Sequence, residues 1–306
     1  MTPRLFPALL LLATLAGTTA HAQTRAITHE DLWLMPRVGA PVASPDGRWV
    51  VLSVVEPAYA PDQQTTDLWL VPSDGSAAPR RLTATRAPET GMAWSSDSRR
   101  LAFSTRRDGD TAAQIYVIDV DRPGEAQRAT QISTGARMPQ FSPDGRYLLF
   151  TSNVHPDSRN DADSRRIAEE QKARLYSARV YTGFPIRNWD RWLDGTQPRL
   201  FVQAIGSSEA LDLLAGSTLV AGPGFDGRTT PGGSELEATW APDGQSVVFV
   251  ASDNRHQSAW SFTHTDLWQV PAGGGEPLFL QRVATHKDRG LLAVLQRLRH
   301  TVHSFG

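Results

Sequence analysis

Apolar residues along this chain fall in short consecutive runs rather than at helical spacing. Trp49-Val50-Val51-Leu52, Leu101-Ala102-Phe103, Tyr147-Leu148-Leu149-Phe150 and Val247-Val248-Phe249-Val250 are apolar at successive positions. An extended segment alternates its side chains between two faces, so such runs predict strands covered on both faces. A polar turn precedes each run: Ser44-Pro45-Asp46-Gly47, Ser95-Ser96-Asp97-Ser98, Ser142-Pro143-Asp144-Gly145 and Ala241-Pro242-Asp243-Gly244. Proline presets φ, aspartate accepts from nearby backbone N–H groups, and glycine takes a positive φ, which together make a tight reversal. A second strand signal follows downstream in Asp67-Leu68-Trp69-Leu70-Val71, Gln114-Ile115-Tyr116-Val117-Ile118 and Asp266-Leu267-Trp268-Gln269-Val270. Asp74-Gly75 and Gly273-Gly274-Gly275 then supply hairpin chemistry before a further strand such as Arg80-Arg81-Leu82-Thr83.

The unit repeats. The turn aspartates Asp46, Asp97 and Asp144 are spaced by 51 and 47 residues. Three or four short strands in about 45–50 residues make a propeller blade. The next interval, Asp144 to Asp243, is 99 residues, enough for two blades or for one blade with an insertion. Asp194-Gly195 lies near its midpoint. Arg199-Leu200-Phe201-Val202 after it resembles the second strand signal, however, and no apolar inner strand intervenes. The expectation is therefore an all-β chain: a partial β-propeller of about four blades over residues 23–280, with one helical insertion at 153–196. Within that insertion Asp161 to Arg179 is charged and free of proline and glycine, which predicts a helix with Asp163 as its N-cap. Glu169 with Lys172 and Glu170 with Arg174 stand at supportive spacings.

The two ends read differently. Arg4, the apolar stretch Leu5 to Leu15 and Ala20-His21-Ala22 have the layout of a signal peptide, with cleavage expected after Ala22. The apolar stretch is shorter than the roughly 20 residues a membrane span needs. Residues 281–306 lose the repeat chemistry and read as a basic helix, with Leu291, Leu292, Leu295 and Leu298 on one face. That change just after Pro277 implies an out-of-family tail from a frameshifted or truncated gene.

Composition narrows the function. The 31 basic and 32 acidic residues nearly balance, so the chain lacks the basic surface of a nucleic-acid binder. The cysteine count of 0 excludes disulfides, thiolate nucleophiles and zinc–thiolate sites. With a signal peptide, that points to a bacterial periplasmic or secreted protein. Asp157, Asp161 and Asp163 superficially suggest a calcium loop, but Ala162 and Ala168 replace the required glycine and glutamate. His256 and His264 lie near Asp253 and Asp266 at a spacing that fits no compact ligand motif, so no metal and no cofactor is expected.

Met35-Pro36-Arg37-Val38-Gly39-Ala40-Pro41, the Ser-Pro-Asp-Gly turns, the charged helix and Arg187-Asn188-Trp189-Asp190-Arg191-Trp192-Leu193-Asp194-Gly195 resemble the prolyl oligopeptidase family, in its bacterial acylaminoacyl-peptidase and dipeptidyl-peptidase branch. The likeness covers about Ile27 to Pro277. It implies that the propeller is a substrate-gating lid over an α/β-hydrolase domain, whose serine sits in a Gly-x-Ser-x-Gly elbow followed by Asp and His. That elbow is absent from these 306 residues, Gly206-Ser207-Ser208-Glu209-Ala210 lacking the second glycine. No catalytic residue is therefore assigned, and the chain alone is expected to be inactive. The resemblance offers Glu169 and Glu170 for a substrate's free amino terminus, a role suited to paired carboxylates. Adjacent helix residues diverge by about 100°, however, and a solvated helix face accounts for them as well. Trp189 and Trp192 are candidates to line a peptide-binding mouth, or simply to pack in a core. The implied partner is a peptide substrate held with the missing hydrolase domain. The alternatives are a stand-alone periplasmic propeller of the Tol-Pal translocation type that binds a protein partner, and a non-functional fragment.

Overall fold

The computed structural model describes residues 25–283, apart from 123, 177, 179, 182–183, 189–190, 194 and 231–232. The expected signal peptide and most of the expected tail lie outside these residues.

Four antiparallel sheets follow one another along the chain. Sheet I runs from Val42–Ala43 through Trp49–Glu56 and Thr65–Pro72 to Arg80–Arg81, with Arg37–Val38 also pairing with Trp49–Glu56. Sheet II comprises Thr90–Trp94, Arg100–Thr105, Gln114–Asp119 and Gln127–Arg128. Sheet III comprises Arg137–Phe141, Tyr147–Val154, Gln197–Ala204 and Ala210–Asp212. Sheet IV comprises Glu237–Trp240, Ser246–Ala251, Thr265–Pro271 and Leu278–Val283. Each is a meander in chain order, as the repeat predicts.

Strand alternation stacks the sheets face to face. Leu101 and Phe103 pack with Val51, Leu68 and Leu70 of sheet I, whereas Ala102 between them packs with Phe150 and Phe201 of sheet III. Leu148 and Phe150 face sheet II, and Leu149 joins Val247, Phe249 and Ala251 of sheet IV. Three apolar layers therefore separate four sheets, and each fully buried aliphatic or aromatic side chain adds roughly 1.5–3 kcal/mol. Two inter-sheet hydrogen bonds tie the innermost strands: Trp94 Nε1 donates to Val42 O at 3.1 Å, and Gln140 Nε2 donates to Ala238 O.

The turns behave as their composition dictates. Gly47, Gly145 and Gly244 have φ of 70°, 68° and 68°. Ser98 holds the equivalent left-handed position in sheet II at φ 60° and uses its side chain, since Ser98 Oγ accepts from Asp46 N at 3.0 Å across the sheet boundary. In sheet III, Ser142 Oγ and Arg146 N both donate to Asp144 Oδ1, at 2.6 and 3.0 Å. The Ser142 bond outweighs the opposing effect of burial and, with the Arg146 bonds, holds the Asp144 carboxyl down at about 2. Asp144→Ala is expected to cost about 1–2 kcal/mol, the loss of two turn hydrogen bonds, because the exposed Arg146 pair adds little. Urea denaturation of the variant checks this, and a change within error would remove the aspartate from the turn's stability.

Four expectations need correction. Tyr147–Val154 pairs directly with Gln197–Ala204 over eight residue pairs, so residues 155–196 form an excursion from one sheet. Its helix, however, spans Asp161–Lys172 and stops short of Arg179, and its N-cap is Asn160, whose Oδ1 accepts from Asp163 N at 2.9 Å. Asp161, the first helical residue, accepts from Ser133 N and Oγ at 2.7 Å each. That tertiary contact sets the start of the helix. Glu170 pairs with Arg166 at 2.8 Å rather than with Arg174. Finally, the repeat outlasts Pro277. Leu278–Val283 pairs with Thr265–Pro271, Gln281 opposite Leu267 and Arg282 opposite Asp266. Among the described residues, no helix is long and apolar enough to cross a membrane.

Candidate functional site

An antiparallel meander sends its second-to-third connections to the end of the sheet opposite its first-to-second turns. Here the Ser-Pro-Asp-Gly turns occupy one end. The other end carries the long loops 57–64, 106–113, 155–196 and 252–264, together with the connectors between sheets. Among the described residues, the buried charged side chains Asp67, Glu89, Arg199, Asp212 and Asp266 all lie at this loop end.

The innermost strands of all four sheets line one cavity of about 220 Å³, which Val42, Gly91, Met138, Gln140, Thr239 and Trp240 help to enclose. Bulges in Thr90–Trp94 and Arg137–Phe141 shape it. Gly91, at φ 64°, lies where a Cβ would meet Met138 Cα at 3.3 Å, so the two bulged strands approach closely only because position 91 has no side chain. This volume is below the roughly 300–1,000 Å³ of small-molecule pockets. The loop end, by contrast, carries buried polar groups.

There the first residue of each third strand's core segment is polar and buried: Asp67, Gln114, Arg199 and Asp266 have relative exposures of 1%, 4%, 1% and 0%. Asp67 and Gln114 face the connectors that leave their sheets. Gln114 Oε1 accepts from Thr130 Oγ1 at 2.9 Å and Ile132 N at 3.0 Å. Asp67 pairs with Arg81 and accepts from Thr85 N at 3.2 Å. Beside it, Glu89 accepts from Thr83 Oγ1 at 2.7 Å and Thr85 Oγ1 at 3.0 Å. Burial pushes the Glu89 carboxyl up to about 7, with the two threonine bonds opposing and the nearby Asp67 charge adding. Arg199 lies 3.4 Å from Asp212 and donates to Pro156 O at 3.4 Å, at the start of the insertion. Burial raises the Asp212 carboxyl while the Arg199 charge holds it down.

Asp266 differs from the other three. Among the described residues, neither carboxylate oxygen has a hydrogen-bond partner, although both are buried. His264 Nε2 stands 3.3 Å from Asp266 Oδ2 and 2.8 Å from Asp253 Oδ1. Arg282 Nε lies 3.5 Å from Asp266 Oδ1. Burial raises the Asp266 carboxyl, against the nearby His264 and Arg282 charges.

The residues singled out from the sequence are dispersed. Glu169 and Glu170 are exposed on the insertion helix, Glu170 already paired with Arg166. Trp192 is 49% exposed, stacks on Tyr181 at 6.1 Å and has Arg187 over its ring at 5.8 Å, while Trp189 lies outside the described residues. Asp253, His264 and Asp266 do come together, and their donor atoms all lie within 4.8 Å of one another. Linear spacing hid this group because a strand end, a loop and a strand start supply its members. The signal available was the repeat itself, which aligns Asp266 with Asp67.

No family profile matches the chain. Dipeptidyl-peptidase 5 of Porphyromonas endodontalis is 27% identical over 252 residues, 82% of this chain and 34% of that protein. The uncharacterized peptidase YuxL of Bacillus subtilis is 26% identical over 230 residues, 74% of this chain and 31% of its own. Among solved structures, the acylaminoacyl peptidase of Pyrococcus horikoshii matches with a TM-score of 0.51 at 15% identity, over 82% of this chain and 33% of that one. The chain thus spans about a third of the relatives it matches. It is homologous to the peptidases along that third and shares a propeller-like fold with it.

Proposed function

We propose that this chain is the propeller portion of an exported serine peptidase of the prolyl oligopeptidase family and gates access to a hydrolase domain that these residues do not contain. The observation that carries the reading is the alignment of 82% of the chain with one third of dipeptidyl-peptidase 5. Four successive antiparallel meanders, which we read as about four blades, are consistent with such a gate. A gate selects by size and by the groups at its mouth. The substrate class that follows is short peptides, with the loop end as the face on which they are sorted. In this reading Glu169 and Glu170 are the carboxylates offered to a substrate ammonium, and Trp189 and Trp192 are the aromatic lining. Glu169 carries more of that role, since Arg166 already neutralises Glu170. Residues 1–22 direct export to the periplasm or beyond.

The purified chain is expected to leave chromogenic dipeptidyl and acylaminoacyl substrates uncleaved. Turnover that survives purification to homogeneity and a serine-directed inhibitor control would overturn the reading. The nucleotide sequence past codon 306, read in all three frames, tests its larger half. A Gly-x-Ser-x-Gly elbow followed by Asp and His supports a gate, and several hundred codons without one would remove it.

A further inference from the structure

Two segments of sheet IV bring an imidazole and two carboxylates to one point. Asp253 follows the strand Ser246–Ala251, and Asp266 begins the core of Thr265–Pro271. His264 immediately precedes that second strand. We propose that Asp253, His264 and Asp266 bind a single divalent transition-metal ion of the zinc class at the loop end of sheet IV.

The donor set comes first. One imidazole with two carboxylates suits a borderline d-block cation. Calcium needs six to eight oxygens, and two carboxylates do not approach that number. Zinc bonds of about 2.0–2.2 Å place tetrahedral donors roughly 3.3–3.5 Å apart. His264 Nε2 and Asp266 Oδ2 already stand at 3.3 Å, and the 2.8 Å pair of His264 Nε2 with Asp253 Oδ1 needs to open by only about half an ångström. Three protein ligands leave a fourth position facing solvent, because Asp253 is partly exposed.

Asp266 supplies the second and independent observation. It is wholly buried, and both of its oxygens lack a hydrogen bond. Among the described residues its only ion-pair contacts are the long ones to His264 Nε2 at 3.3 Å and Arg282 Nε at 3.5 Å, and a buried carboxylate so loosely met costs several kcal/mol unless a cation comes closer. The equivalent residues Asp67 and Gln114 are satisfied by hydrogen bonds from their own connectors. Arg282 alone does not meet the need, since its contact with Asp266 is 3.5 Å long and its side chain is 62% exposed. That guanidinium can turn outward when an ion arrives.

The surroundings hold the ligands in place. Asn254 Oδ1 accepts from His264 N at 3.1 Å, and Asn254 Nδ2 donates to Phe262 O at 3.0 Å. A single buried amide therefore joins the two segments that carry Asp253 and His264. Ser252 is fixed in turn by a backbone bridge to Asp226, with bonds of 2.8 and 3.0 Å. Anchoring of this kind around the ligands is what keeps a metal site preorganised.

The test uses the full chain, stripped with a chelator and titrated with zinc against a chromophoric competitor. One equivalent is expected to bind, and Asp253→Asn and His264→Ala are each expected to weaken it at least about tenfold. Asp253 is partly exposed, so its variant stays folded even if Asp266→Asn does not. Cobalt gives a direct readout: the visible absorption of a four-coordinate ion in the wild type, absent from His264→Ala. Failure of zinc to bind, or equal binding by wild type and both variants, would overturn the proposal and leave His264 as an ordinary ion-pair partner.

Discussion

Arg199→Met is expected to destabilise the chain by about 3–5 kcal/mol, the usual cost of stripping one partner from a buried ion pair. Arg199 and Asp212 have side-chain exposures of 2% and 4%, and their charged atoms stand 3.4 Å apart. At that distance charge matters more than hydrogen-bond geometry. Methionine keeps most of the side-chain volume, so the loss comes from the Asp212 charge left behind and not from a cavity. Asp212 Oδ1 also accepts from Leu214 N at 2.9 Å, which an amide oxygen can still do. Arg199→Met combined with Asp212→Asn is therefore expected to recover more than half of the loss. Urea denaturation of the two variants near neutral pH decides the matter. A single variant no worse than the double would show that Asp212 takes a proton cheaply and that the pair does not organise sheet III. Because Arg199 also donates to Pro156 O, the single variant should in addition loosen the root of the insertion, which limited proteolysis would register.

The parts of this molecule that were legible in sequence are those where local chemistry and tertiary structure agree. Asp46, Asp97, Asp144 and Asp243 mark turns because a turn is built within four residues. Runs such as Leu148-Leu149-Phe150 mark strands because both faces are buried by neighbouring sheets. Arg199-Leu200-Phe201-Val202 resembles the second strand signal in its chemistry, and the segment pairs with Tyr147–Val154. Edges were harder. Leu278-Phe279-Leu280 is as long an apolar run as Leu101-Ala102-Phe103, yet its side chains are 63%, 45% and 40% exposed, because an outermost strand lacks the second covering sheet that gives such a run its meaning. The helix start at Asn160 depends on Ser133, some thirty residues away in another sheet. The loop-end chemistry is cross-strand throughout. Arg199 meets Asp212 and Asp253 meets Asp266 only after register is set, so no spacing along the chain announces them. What the repeat could have offered is a column of aligned positions, Asp67, Gln114, Arg199 and Asp266, each polar within an otherwise apolar strand. Polarity retained at such a place predicts burial with a partner, and Asp266 is the member whose partner the hydrogen bonds do not supply.

Glu89 carries the second large effect, and its sign follows from linkage. Its carboxyl is 1% exposed and burial raises it from 4.5 to about 7 in the fold. An acid with a raised folded-state value holds its proton longer folded than unfolded. Its contribution is therefore complete below about pH 4.5 and is lost as the pH rises through about 7, by up to about 3 kcal/mol. The neighbours fix the size of the effect. Thr83 and Thr85 donate to the carboxylate and Arg107 favours its charge, whereas burial and Asp67 oppose ionisation more strongly. Asp46 and Asp144 do not blur the window, because their carboxyls titrate at about 2. Glu89→Gln keeps an acceptor for the Thr83 hydroxyl and carries no charge at any pH. The variant is expected to match the wild type at about pH 4 and to exceed it in unfolding free energy at about pH 8, with the difference growing between. Urea denaturation at several pH values measures this. Parallel curves for the two proteins would mean that Glu89 ionises in the fold as it does in the unfolded chain, and that the threonine bonds and Arg107 fully offset its burial and the Asp67 charge.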